Sequence, residues 1–253
     1  MWWIPLCTFW LLLLFSLGRK KYRAGLRHKA TEDWLLDLSG LFVQGWVIPL
    51  LELALVYGAM KLIFPSLEGT LTLGIEATFF LQLVVVDYLY YWNHRLLHSK
   101  WMWPIHRVHH SVTQLDIWGT SRNTLWSSFF IVYLWVNGIL LFLVAEQQAY
   151  ATAVAITAAL DLWRHSSWGF DQFPRLQKRL SWVLVLPQAH ARHHSDNLSH
   201  RNYGANFSIW DRVHKTWSPE NEAVKKIGIS HNLSIYRCLL WPFSHRPKNQ
   251  RPA

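Results

Sequence analysis

Residues 87–111 read DYLYYWNHRLLHSKWMWPIHRVHHS and join a long apolar run to two groups of histidines. His94 and His98 make an HxxxH pair, His106, His109 and His110 an HxxHH triplet, and a second HxxHH follows at His190, His193 and His194. Residues three and four apart share a helix face, so each group is expected to aim its imidazoles at one point. A lone histidine is ordinarily a solvated or packed residue, which is how His28, His231 and His245 read. Clustered imidazoles instead predict a metal site, with room for more than one ion. Neutral imidazole serves zinc, copper, iron and nickel, so ligand type alone leaves the metal open.

Upstream of the first pair the chain is apolar from Leu71 to Trp92, with no helix breaker before His98. At about 1.5 Å per residue such a helix exceeds a hydrocarbon core of about 30 Å, so its histidine-bearing end is expected to project from the membrane. Four further apolar runs predict spans: Trp2–Leu17, Leu41–Phe64, Leu125–Val144 and the short, alanine-rich Ala149–Trp163. The first run has no basic residue before it and the block RKKYR after it, the pattern of a span whose N-terminus faces outward rather than of a cleaved signal. Five crossings put both histidine regions on one side. Of the 25 Lys and Arg residues only Lys61 then lies near the other, which marks the histidine side as cytoplasmic.

The expected fold is therefore all-α, a bundle of four to five transmembrane helices with a cytoplasmic helical cap that carries a histidine-rich dimetal site. Residues 1–253 read as one integral-membrane domain, with N-terminal spans over 1–70, a catalytic region over 71–217 and a disordered basic tail over 242–253. Pro174–Pro187 sets Arg175, Lys178 and Arg179 against Leu176, Leu180, Val183 and Leu184, the pattern of an amphipathic helix in the headgroup plane or of a buried soluble helix. The membrane is a bacterial inner membrane or the endoplasmic reticulum; oligomeric state is open.

Composition narrows the chemistry. Half of the residues are apolar (51%), Trp occurs 17 times as suits a lipid interface, and the formal charge of +10 follows the topology rather than a nucleic-acid surface. Cys7 and Cys238 offer neither a CxxC nor an iron–sulfur spacing. HRLLH carries Arg95 where an HExxH protease needs its Glu, and no GxSxG, GxGxxG or P-loop occurs. Two carboxylates fall among the histidines: Asp161 four residues before His165, and Asp87 seven before His94, each on a shared helical face. Ionisable groups inside spans usually serve a site, and these read as partners of the imidazoles outside the metal's own ligands, with Asp161 also able to bind metal; a helix-end pairing with Arg or Tyr is the plain alternative.

HRLLH, HRVHHS and HARHHS, with NYG at Asn202–Gly204 and WDR at Trp210–Arg212, resemble the fatty acid hydroxylase superfamily, which includes the sterol desaturases and C-4 methyl sterol oxidases. The likeness runs from about Asp87 to Trp217. It implies a multi-span membrane enzyme with a diiron centre on the cytoplasmic face, using dioxygen and external electrons to hydroxylate or desaturate a lipid. It makes His94, His98, His106, His109, His110, His190, His193 and His194 catalytic iron ligands, and matches His165 to an additional histidine between the second and third boxes. Fatty acid 2-hydroxylases tend to have HxxxH there, where this chain has Asp161 and His165. WDRVHKT also departs from the common WDRLFGT, placing His214 and Lys215 where an aromatic residue and a glycine are usual.

No flavin, nicotinamide or haem motif is present, so the electron source is expected to be a separate reductase, cytochrome or ferredoxin, drawn to the basic face. Rival readings are an ether-lipid (alkylglycerol-type) monooxygenase using a pterin within the same superfamily, a zinc-dependent membrane lipid hydrolase, a metal transporter and a bis-histidine haem protein. Zinc needs three or four ligands, fewer than are gathered here. Transport and haem sites would place histidines within the membrane or facing spans rather than at one surface.

Overall fold

In a computed structural model the described residues are 1–166, 168–170, 172–219 and 224–243. From residue 244 on, the basic tail expected to be disordered lies outside them, as does His245. Among the described residues all regular structure is helical, apart from single bridges pairing Leu71 with Val144, Leu184 with Phe207 and Ser195 with Ile227.

Helix α1 (Trp3–Leu17) bends by 101° into α2 (Lys20–Arg27). Helix α3 (Thr31–Ile63) runs unbroken for 33 residues and is long and apolar enough to cross a membrane; α1 with α2 passes that test as one bent span. Pro49 sits inside α3 without breaking it. Proline has no N–H and crowds the carbonyl one turn back, and the wide turn at Val43–Val47 takes up that mismatch. Helix α4 covers residues 75–97, built from Ile75–Phe80, a wide turn at Leu81–Val86 and Asp87–Leu97. It is about 35 Å long, as its uninterrupted pattern predicts.

Five short or medium helices follow the first histidine pair before the third box closes: α5 (Trp103–His106), α6 (Val132–Leu143), α7 (Gln147–His165), α8 (Pro174–Leu180) and α9 (Pro187–His193). The last two are α10 (Ile209–Val213) and α11 (Ile235–Leu240).

Two of the expected segments differ. The fourth apolar run is α-helical only from Val132, after a 3-10 turn at Ser127–Phe130, because its start is held by other elements: Leu125 N–H donates to Leu239 O (3.0 Å) and Trp126 Nε1 to Leu240 O (2.8 Å). Asn93 then takes the start of α6, accepting from Val132 N–H (3.1 Å) and donating to Phe130 O (2.9 Å). The amphipathic helix stops at Leu180, where the chain turns and runs extended beside residues 206–208; Val185 N–H donates to Asn206 O (3.0 Å) and Ser208 N–H to Val183 O (2.9 Å).

Helices α1, α3, α4, α6 and α7 alternate in direction. At one end, Phe15 of α1 stacks on Trp168 just past α7 (5.0 Å), Asp37 near the start of α3 meets Arg122, and Asn93 near the end of α4 meets the start of α6. At the other, Tyr57 of α3 bonds Glu68 (2.6 Å) and accepts from Gln147 at the start of α7 (3.3 Å), and Leu71 N–H donates to Leu143 O (2.8 Å). Between the ends, Tyr150 bonds Gln82 (2.8 Å) and Asn137 (3.1 Å), tying α7 to α4 and α6. Every predicted histidine of the site therefore lies at the end where α4 and α7 finish.

Candidate metal centre

Nine histidines meet in two groups: His94, His98, His106, His110 and His193 in one, His109, His165, His190 and His194 in the other. Within each group one nitrogen per ring lies within 4.8 Å of all the others. The expectation that each HxxHH aims at a single point is corrected here. His106 ends α5 while His109 and His110 sit in a following 3-10 turn, and His194 lies just past α9. In both triplets the residues four apart, His106 with His110 and His190 with His194, share a group, and the histidine three residues after the first, His109 or His193, crosses to the other. Adjacent helical residues diverge by about 100°, so His109/His110 and His193/His194 divide between the groups.

Four rings are oriented by backbone carbonyls. His94 Nδ1 contacts Tyr203 O (2.7 Å), His193 Nδ1 Arg201 O (2.6 Å), His109 Nδ1 Arg122 O (3.2 Å) and His165 Nδ1 Asp161 O (2.9 Å). A carbonyl can only accept, so each Nδ1 carries the proton and each Nε2 presents a lone pair. Yet His94 and His193 hold their Nε2 atoms 3.0 Å apart, and His109 and His165 theirs 3.4 Å apart. Neither contact has a proton to share.

Protonating a ring would not relieve this. Burial above all, then the neighbouring imidazoles, holds His98, His106, His110 and His194 well below the usual histidine range. Burial likewise holds His109 and His193 down to about 3. Facing lone pairs in a dry pocket call for a cation between them. Nitrogens about 2.1 Å from one ion and at right angles around it stand about 3.0 Å apart, the spacing of His94 to His106 and His193 and close to that of His190 to His165 and His194. His110 adds two buried nitrogens with no hydrogen-bond partner, and His98 Nε2 one. The donor set fits two metal ions, one per group.

The two carboxylates expected beside the rings take different parts. Asp161 lies against His165 as its spacing predicts, Oδ1 to Nδ1 3.2 Å, and pairs with Arg164 at 2.9 Å. Among the described residues Asp87 bonds no imidazole; it accepts from Asn206 N–H (2.8 Å), Phe207 N–H (3.3 Å) and Trp210 Nε1 (2.8 Å). Arg164 reaches the same strand of chain at Ala205 O (2.6 Å). Asp87 thus acts on His94 at one remove, by fixing the segment that supplies the Tyr203 carbonyl.

That segment explains the NYG and WDR motifs. Asp211 accepts from Tyr203 N–H (2.7 Å), Gly204 N–H (2.8 Å) and the Thr216 hydroxyl (2.7 Å). A Cβ at Gly204 would stand 2.5 Å from Phe207 O and 2.9 Å from Asp211 Oδ2, so only glycine fits. Asn202 takes a left-handed conformation (φ 54°) while its amide bridges Ala189 O and Ser218 N–H. Sequence reading missed the support on the other side: Arg122, whose carbonyl receives His109, is buried and paired with Asp33 and Asp37 of α3. The one available signal was charge at the edge of the apolar run beginning at Leu41.

A model of the family described as fatty acid hydroxylase matches residues 79–216. The chain is 27% identical to alkylglycerol monooxygenase of Xenopus tropicalis over 163 residues, 63% of this chain and 34% of that protein. It is 29% identical to ornithine lipid hydroxylase of Rhizobium tropici over 177 residues, 67% of this chain and 51% of that protein. The Danio rerio alkylglycerol monooxygenase is 27% identical over 173 residues, 67% of this chain and 37% of that protein. The chain thus spans between a third and about half of the length of these curated relatives. No solved structure matches it.

Proposed function

The chain belongs to the fatty acid hydroxylase family, and from that premise we propose that it is an oxidoreductase that uses dioxygen to hydroxylate or desaturate a membrane lipid at a centre of two iron ions. His94, His98, His106, His110 and His193 would hold one ion, and His109, His165, His190 and His194 the other. Bound iron supplies the activation of dioxygen that no side chain can perform. The observation that carries the reading is the pair of proton-less Nε2 contacts, one in each histidine group.

The chain's own part is positioning. Carbonyls of Tyr203, Arg201, Arg122 and Asp161 fix four rings in the tautomer that leaves Nε2 free, and burial keeps water and protons off the nitrogens. Inserting one oxygen atom into a C–H bond leaves the second to be reduced to water, which consumes two electrons and two protons. An external reductase, cytochrome or ferredoxin provides the electrons, and solvent water the protons.

The alternating helices and the basic residues gathered at the histidine end support a multi-pass protein whose site faces the cytoplasm, in a bacterial inner membrane or the endoplasmic reticulum. Exposed Phe173, Leu176, Trp182 and Val183 beside Arg175, Lys178 and Arg179 suit a cap resting at the lipid surface, where an acyl or sterol chain can enter.

The similarity to alkylglycerol monooxygenase and ornithine lipid hydroxylase favours a second reading, an ether or amino-acid lipid as substrate. Hydroxylation beside an ether oxygen gives a hemiacetal, which breaks into an aldehyde and an alcohol. A zinc hydrolase fits less well, since five imidazoles in one group exceed what zinc uses.

Anaerobically purified protein is expected to contain about two irons per chain, and lipid extracts from cells with the active chain to show species with one added oxygen, two fewer hydrogens or released aldehyde. A reproducible single zinc without iron would sink the diiron assignment. Iron-loaded protein that leaves every lipid class unchanged with dioxygen and a reductant would sink the lipid oxidation.

A further inference from the structure

The carbonyl that orients His109 belongs to Arg122, and this residue is held by a buried ion cluster. Its Nε meets Asp37 Oδ1 at 2.5 Å, its Nη1 Asp33 Oδ1 at 2.6 Å, and Nη2 donates to Asp33 O at 3.3 Å. Lys29 pairs with Asp37 and with Asp116 (3.0 Å), and Asp116 in turn accepts the N–H groups of Trp118 and Gly119 (3.0 Å each). The start of α3 lies directly on the loop, for a Cβ at Gly40 would stand 2.1 Å from Ser121 O. Both ends of residues 116–122 are therefore clamped to one helix through charges, two cations against three carboxylates.

Stability alone is a weak reason for such a cluster. Buried ion pairs recover little beyond their own desolvation, and well-packed apolar residues often serve as well. What charges add is a fixed location, and the atom located here is the acceptor for His109 Nδ1. Lys29, Asp33 and Asp37 also lie outside the matched residues 79–216. We propose that Lys29, Asp33, Asp37 and Asp116 act through Arg122 as positioning residues for the four-histidine group, so that the N-terminal segment completes one of the two metal sites. The proposal rests on the two-ion reading.

Cobalt titration of the metal-free full chain in detergent, followed by visible absorption, tests it. Wild type is expected to bind two equivalents in two steps, one lost in His109→Ala and the other in His193→Ala. Asp37→Asn should weaken only the step lost in His109→Ala, by about tenfold, the low end for residues that orient a ligand. Added to His109→Ala, Asp37→Asn should change nothing further. Equal weakening of both steps, no weakening, or an added loss in the double variant would overturn the proposal while leaving the two-ion centre intact. Wild type binding a single equivalent would overturn that reading and the proposal with it. Should Asp37→Asn fail to fold, Lys29→Met, which keeps the Arg122–Asp37 pair and removes the bridge to Asp116, is read against the same outcomes, with about threefold expected.

Discussion

His109 and His110 are neighbours in the chain and face different groups, so single substitutions at the two positions should have separable effects. His109→Ala leaves three imidazoles in its group and His110→Ala leaves four in the other. Each variant should retain about one ion per chain on anaerobic purification and the double variant less than one, as read by elemental analysis; loss of both ions from either single variant would contradict two independent groups. Lys215 gives a second test at this scale. It follows the short helix α10 and its cap His214 with φ 58°, the left-handed position just past a helix end that glycine normally takes and where the common WDRLFGT pattern has one. A side chain there costs about 1 kcal/mol, partly offset by the extra freedom glycine has when unfolded. Lys215→Gly should therefore stabilise the protein by about 0.5 kcal/mol, raising the thermal midpoint by about 1–2 °C in detergent.

Among the elements, the segment 202–211 joins the two longest helices of the site, since Asp87 of α4 and Arg164 of α7 both hold it and Asp211 folds it back on itself. Asp87→Asn keeps one acceptor oxygen and loses the charge. Bonds to ionised groups contribute about 1.5–3 kcal/mol, so a loss of about 2 kcal/mol is expected, together with faster amide hydrogen exchange at residues 203–207; unchanged exchange there would separate Asp87 from the Tyr203 carbonyl. Reading the sequence located α4 and α7 within a few residues because one apolar period ran unbroken into each histidine. It overran at Leu125–Ile131 and after Leu180, where hydrophobicity continues but Leu125 N–H and the Trp126 indole are taken by the carbonyls of residues 239–240, and the backbone past Leu180 pairs with residues 206–208. Eight of the nine histidines were legible from spacing and His165 from the family resemblance, but their division was not. That split needs the break between α5 and the turn holding His109 and His110, and the Arg122 support needs a contact with Asp37 that no periodicity announces.

For the whole molecule, assembling the centre means collecting neutral imidazoles in a dry pocket, and this makes the metal-free fold sensitive to acid. His109 and His193 are held down to about 3 by burial, against an ordinary value of about 6.5 in the unfolded chain. A histidine whose folded value is depressed contributes stability that is complete above the unfolded value and is lost as pH falls toward the folded one, because the unfolded chain then binds a proton that the native state refuses. Each such ring lowers stability by about 1.4 kcal/mol per pH unit below about 6.5. Eight rings of the centre share the direction, His94, His98, His106, His110, His190 and His194 with these two, so the slope below that point should exceed that of a single group. The metal-free chain in detergent is thus expected to hold a constant thermal midpoint from pH 8 to about 7 and to fall steeply by pH 5. Saturating metal should flatten that fall, since a nitrogen bonded to an ion resists protonation until the ion leaves. A midpoint independent of pH over this range, with or without metal, would mean that the imidazoles are reached by protons in the folded state and that the pocket is wet.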